Sequence, residues 1–234
     1  MPQPTTTPTP EALREHLVRL KQLRGREARD GLAPRLSELK RWQQERLART
    51  YADLKAQPRY EAATRFFLED LYGPKDFSGR DAAMLRIYPM LVRMLPESAV
   101  QTAALAIEVD ALSEALDHKL VEVLPDGPID DASYAKAYRE SSMKAERERQ
   151  IELIGEVGKR LDRLVTKPML MRTLKLMRTP AKVAGLADLQ EFLERGFDAF
   201  RAMGGATEFL GTIQARERAI ASRLFSSAPA PFSV

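Results

Sequence analysis

The residues most able to do chemistry in this chain are charges sitting where apolar side chains are expected. Glu108 falls between Leu105 and Leu112, at three and four residues' remove. Glu217 falls in the same way between Ile213 and Ile220, and Arg86 and Arg93, seven apart, share a helical face with Met90. A charge taken out of water is costly unless it is paired and hydrogen-bonded. The leading expectation is therefore Arg–Glu pairing that fixes helix register inside a core. A second reading is a polar pocket in which the arginines grip a carboxylate or phosphate. A third is that the helical phase differs and the charges face water. Glu69 and Tyr72, beside a tight turn that leads toward the arginine pair, add a carboxylate and a hydroxyl, and Glu69 is expected near Arg86. The candidate polar pocket or buried ion-pair network is thus Glu69, Tyr72, Arg86, Arg93, Glu108 and Glu217.

Two other groups carry competing readings. Asp110, Glu114 and Asp117 recur at i, i+4 and i+7, with His118 adjacent. Carboxylates and a histidine on a bundle helix invite a metal. Dimetal carboxylate bundles, however, use Glu-x-x-His on two helices, whereas Glu114 and His118 are four apart and no second such pair exists. A solvated acidic face is the leading reading, with Glu114 and His118 as weak metal candidates. The stretch from Lys167 to Lys182 mixes Met169, Met171 and Met177 with Arg172, Lys175, Arg178 and Lys182. Core packing through Leu170, Leu174 and Met177 leads there, ahead of contact with a membrane surface or a partner.

Many mechanisms lack their residues. There is no cysteine, which excludes disulfide scaffolds, thiolate zinc sites and cysteine nucleophiles. With only His16 and His118, Ser-His-Asp catalysis and multi-histidine metal sites are hard to assemble. Neither a phosphate-cradling GxxxxGK[ST] nor GxSxG occurs. No catalytic residue and no cofactor is assigned, and the enzyme question leans toward no. The first residues lack the basic and apolar regions of a secretory signal, and no stretch approaches the ~20 apolar residues of a membrane span. The expected location is the cytoplasm.

The net charge of +4 is unevenly distributed. From Thr9 to Arg59 there are 13 Lys/Arg against 7 Asp/Glu; from Glu97 to Val157, 6 against 14; from Lys159 to Lys182, 8 against 1. Two basic segments flank an acidic middle, and intramolecular complementarity is the leading reading, ahead of a basic face for an anionic partner. In the first basic segment cations alternate with acids, the pattern of a solvated, ion-pair-laced surface, and no aromatic stacking platform accompanies them. Nucleic acid is not expected as a partner.

The elements that must position these residues read as helices throughout. Residues 1–8 read as a disordered leader. Thr9-Pro10-Glu11 opens a helix with an N-cap, a first-turn proline and an acid at the positive end of the dipole. Gly31 ends it, and Pro34 opens a second helix, giving a charged αα-hairpin over 9–57 that could stand apart. Pro58 is expected to start a third helix that stops at Gly73-Pro74. A fourth, near 80–95, is kinked at Pro89. Pro96 opens a fifth that reaches about Val123. Asp130 caps a sixth that ends near Val165 and projects into solvent or breaks near Ser141-Ser142, because its first half is polar all round. Pro168 and Pro180 bracket a seventh. Leu186, Leu189, Leu193, Phe197, Phe200 and Met203 define an eighth that ends at Gly204-Gly205, and Phe209 to Leu224 lie on a ninth. The tail 226–234 is expected to be mobile. No segment alternates as a strand. The fold class is all-α: a bundle of about eight or nine helices over 58–225 with the N-terminal αα-hairpin.

Arg65-Phe-Phe-Leu-Glu-Asp-Leu-Tyr-Gly-Pro74, with Arg80-Asp81, Met94-Leu-Pro96, Leu112-Ser-Glu-Ala-Leu-Asp117 and Phe192-Leu-Glu-Arg-Gly-Phe197, resembles a group of uncharacterised bacterial proteins over roughly Leu36 to Phe225. The resemblance implies an all-helical bacterial protein and brings no activity. The function expected is a non-enzymatic interaction or regulatory protein. Its partner would be another protein, met by the N-terminal hairpin or the polar half of the sixth helix. The alternative is a small-molecule-binding protein or enzyme with the Arg/Glu pocket inside the bundle. A membrane surface ranks below both.

Overall fold

The computed structural model describes residues 9–29, 31–71, 93, 95–183 and 185–234. Among these the chain is all-α, with eleven α-helices and one π-helical turn and no strand. In chain order they are α1 (Pro10–Arg29), α2 (Ala33–Thr50), α3 (Ala52–Lys55), α4 (Glu61–Phe66) running on as a π-helix (Phe67–Leu71), α5 (Glu97–Val123), α6 (Asp131–Glu140), α7 (Lys144–Val165), α8 (Pro168–Leu176), α9 (Arg178–Val183), α10 (Ala187–Ala202) and α11 (Thr207–Phe225). The leader 1–8, the loop 73–79, and the kinked helix near 80–95 apart from Arg93 and Leu95 lie outside the described residues.

Local chemistry sets most boundaries. The Thr9 hydroxyl accepts from the Ala12 N–H at 3.2 Å, satisfying one of the orphan donors of the first turn. The Asp130 carboxylate accepts from the Ser133 N–H at 2.7 Å while the Ser133 hydroxyl accepts from the Asp130 N–H at 2.9 Å, a reciprocal cap on α6. The predicted sixth helix breaks at Ser141–Met143, where Ser142 takes φ +52°. Gly204 and Gly205, at φ +62° and +120°, turn the chain between α10 and α11, a conformation that side chains with a Cβ rarely adopt.

Two boundaries differ from expectation. Pro58 does not open a helix; it sits in the turn between α3 and α4, and the helix begins at Glu61. Pro180 does not end a helix but sits in the first turn of α9, where its missing N–H falls among donors that lack a helical partner anyway.

The N-terminal helices belong to the core. α1 buries Leu13 and Leu17 against Val100, Ala104 and Ile107 of α5. α2 buries Leu39 and Trp42 with Leu120, Tyr134 and Ile220, and its Leu47 joins Tyr51, Phe200 and Phe209 in a second cluster. α1 packs chiefly on α5 and makes little contact with α2, so the two do not form a free-standing hairpin. Their apolar stripes hold them there: each fully buried Leu contributes ~1.5–3 kcal/mol. The tail also folds back, with the Phe232 ring edge-on to Trp42 at 5.6 Å.

Two glycines bring α7 and α11 together. A Cβ on Gly158 would lie 2.4 Å from Leu210 Cδ2, and one on Gly155 would lie 1.9 Å from Gln214 Nε2. No helix among the described residues is long and apolar enough to cross a membrane.

Candidate functional site

The acidic stripe of α5 is built into the bundle. Glu114 is 3% exposed and Asp117 7%, because α1 and α2 lie over this side of α5 and bring cations with them. Lys40 Nζ donates to Glu114 at 2.6 Å, Arg24 Nη2 approaches Asp110 at 3.3 Å and Glu114 at 3.7 Å, and Gln43 Nε2 donates to Asp117 at 2.9 Å. From α7, Gln150 Nε2 donates to the Ser113 hydroxyl at 2.7 Å and Arg147 Nη1 donates to Gln150 at 3.1 Å, with Arg147 stacked over the Tyr138 ring. Among the described residues Arg147 Nε and Nη2 meet no hydrogen-bond partner. Burial pushes the Asp117 carboxyl up to about 6; Lys40 and Arg147 oppose this, Glu114 adds to it, and the Gln43 hydrogen bond opposes it. The solvated acidic face expected from the sequence is therefore a buried charge network. Among the described residues no group of three or more metal-ligating side chains is arranged to hold a metal.

Glu217 and Glu108 are both directly paired, in separate networks. Arg46 Nη1 and the Tyr51 hydroxyl donate to Glu217 Oε1 at 2.6 and 2.7 Å. Burial works against the Arg46 charge, but the Glu217 carboxylate beside it overcomes this and holds the guanidinium above the ordinary arginine range. Glu108 meets Arg149 at 3.3 Å and His16 at 4.0 Å. Glu69 and Arg93 are exposed, while Tyr72 and Arg86 lie outside the described residues. The structure thus brings none of the six sequence candidates together among those it describes. The residues that do meet Glu217, Arg46 and Tyr51, had a sequence signal in part: Arg46 follows Leu39 by seven, on the buried side of α2, and Tyr51 follows Leu47 by four.

Both basic segments are paired in part, and among the described residues Arg14, Arg19, Lys21, Arg41 and Lys55 of the first are exposed without an ion pair. Cations of the first pair with acids far along the chain: Arg24 with Asp110, Lys40 with Glu114, Arg46 with Glu217, Arg49 with Asp131. In the second, Arg160 pairs with Glu156 and Arg178 with Glu194. Arg178 holds the Glu194 carboxyl down at about 2. Lys159, Arg163, Arg172, Lys175 and Lys182 are exposed and have no ion pair among the described residues.

Apolar side chains stand out among them. Met169 is 70% exposed, Leu176 78% and Val183 85%. Met169 and Leu176, seven apart, fall on one face of α8. The opposite side docks the segment onto the bundle: Met171 and Ala181 are buried, and Gln190 Nε2 of α10 donates to the Leu174 carbonyl at 2.6 Å. Core packing, the leading reading of this stretch, holds for Met171 and not for Met169. An open groove of about 300 Å³ runs along the inner side of α8, lined by Val165, Pro168, Met171 and Phe200. A smaller recess of about 150 Å³ lies where the tail crosses Arg46 and Arg49.

Residues 22–231 match a family whose description is a domain of unknown function (DUF8198), and the chain belongs to that family. No curated protein and no solved structure matches the chain.

Proposed function

We propose that this member of the family is a non-enzymatic interaction or regulatory protein of the bacterial cytoplasm, and that its docking face is the outer side of α8 and α9. The observation that carries this reading is the set of exposed apolar side chains on α8 and α9. Cations are left in water on both basic segments, but on α8 and α9 the cations Arg172, Lys175 and Lys182 stand beside three exposed apolar side chains, Met169, Leu176 and Val183. Met169 and Leu176 on one face of α8, with Arg172 and Lys175 between them in sequence, give the mix of apolar and basic groups that a docking face uses. The buried carboxylates Glu114 and Asp117 and the half-buried Glu108 and Glu217 each have an intramolecular partner, which fits a structural role in register rather than a ligand cradle. The contact surface therefore moves from the N-terminal helices, whose apolar stripes are covered, to the C-terminal half.

The triple variant Met169→Ser/Leu176→Ser/Val183→Ser tests this. These side chains are exposed, so stability should change by no more than about 0.5 kcal/mol. Affinity purification and membrane fractionation from the native host should find the parent chain with a protein partner or with membrane, and the variant without it. The same association for both would overturn the reading.

A further inference from the structure

We propose that the α8–α9 face docks on an anionic lipid surface, with Met169, Leu176 and Val183 entering the headgroup boundary and Arg172, Lys175 and Lys182 lying against the lipid phosphates. The inference rests on α8–α9 being the docking face and names what it docks on. Three observations select a lipid surface over a protein groove or helix. None of the three exposed apolar side chains lines the neighbouring groove. A fluid interface moulds around separate side chains, whereas a protein partner needs a complementary surface. The charge has one sign: from Lys159 to Lys182 the sole acid is Asp162, and its carboxylate already accepts the Ala206 N–H at 3.0 Å. Finally, α8 and α9 span nine and six residues and are tied to α10 through Arg178–Glu194 and Gln190, so the segment can lie on a membrane without leaving the bundle.

Each basic side chain near such a surface contributes roughly a fivefold factor in partitioning, and salt screens it. The full chain should co-sediment with vesicles of phosphatidylcholine mixed with phosphatidylglycerol, not with phosphatidylcholine alone, and should be released by raised salt. Lys175→Gln/Lys182→Gln should weaken binding by roughly 25-fold, and Leu176→Ser/Val183→Ser by about tenfold or more. Circular dichroism and thermal midpoints should match the parent in both variants. No co-sedimentation, equal binding to neutral vesicles, or binding that neither variant weakens would overturn the proposal. If vesicles fail while the triple serine variant still loses a protein partner in the host, the lipid assignment falls and the docking face stands. If neither effect is seen, both fall.

Discussion

Asp117 shows how far a residue's surroundings can depart from what its own helix implies. On α5 it belongs to a regular acidic stripe that reads as a wet surface. Yet α5 is covered on several sides, burying Val100, Leu105, Ala111, Leu116 and Leu120, so no stripe on it is reserved for water. Local spacing could not reveal this, because the cover comes from Lys40 and Gln43, 74 residues away. Glu108 and Glu217 were legible as unusual, since each interrupts an apolar repeat. Their partners Arg149 and Arg46 were not, because pairing is settled by tertiary contact. The Asp117 environment has a measurable consequence. With its carboxyl raised from 3.8 to about 6, the native state holds a proton that the unfolded chain has released, so this group's stabilising share is complete below about pH 4 and declines as pH rises through 6. Two units correspond to roughly 3 kcal/mol. Asp117→Asn, which can still accept from Gln43, is expected to stabilise the protein at pH 7 by up to about that amount. The difference from the parent should grow between pH 4 and 6 in urea unfolding series; a difference independent of pH would contradict the assignment.

Whole elements were more legible than pairings. Pro96, Asp130, Pro168 and the Gly204-Gly205 turn bound helices as local chemistry dictates, and the serine pair breaks the long polar helix. The π-helical extension Phe67–Leu71 was not legible. It is supported from outside, by Gln44 Nε2 donating to the Leu68 carbonyl at 2.9 Å and Arg195 Nη2 donating to Asp70 at 2.9 Å, and a window of neighbouring residues contains neither. The α7–α11 crossing was also hidden, since Gly155 and Gly158 in a helix read as weak points. They are points of close approach. Gly158→Ala raises helix propensity by about 1 kcal/mol but drives a methyl into Leu210, and overpacking costs typically 1–3 kcal/mol. A net loss of stability, read as a lowered midpoint of thermal unfolding, is the expected outcome; a raised midpoint would mean that α11 yields freely and that the glycine is not needed for the crossing.

At the scale of the whole molecule, the uneven charge was legible in outline and its meaning was divided. The sequence favoured complementarity, and for the first basic segment the ion pairs to α5, α6 and α11 provide it. The second segment pairs Arg160 and Arg178 and leaves Arg172, Lys175 and Lys182 outward, which only the packing of α8 and α9 on α10 could decide. The N-terminal helices, expected as a possible recognition arm, have their apolar faces in the core, so the account moves recognition to the far side of the chain. The most direct measurement is site-specific photo-crosslinking in living cells of the native host, with benzoylphenylalanine placed at Leu176 and, as a control, at the exposed Ala62 of α4. The account predicts discrete adducts, lipid or protein, from position 176 and none from position 62. Absence of adducts from 176, or the same adducts from both positions, would contradict it.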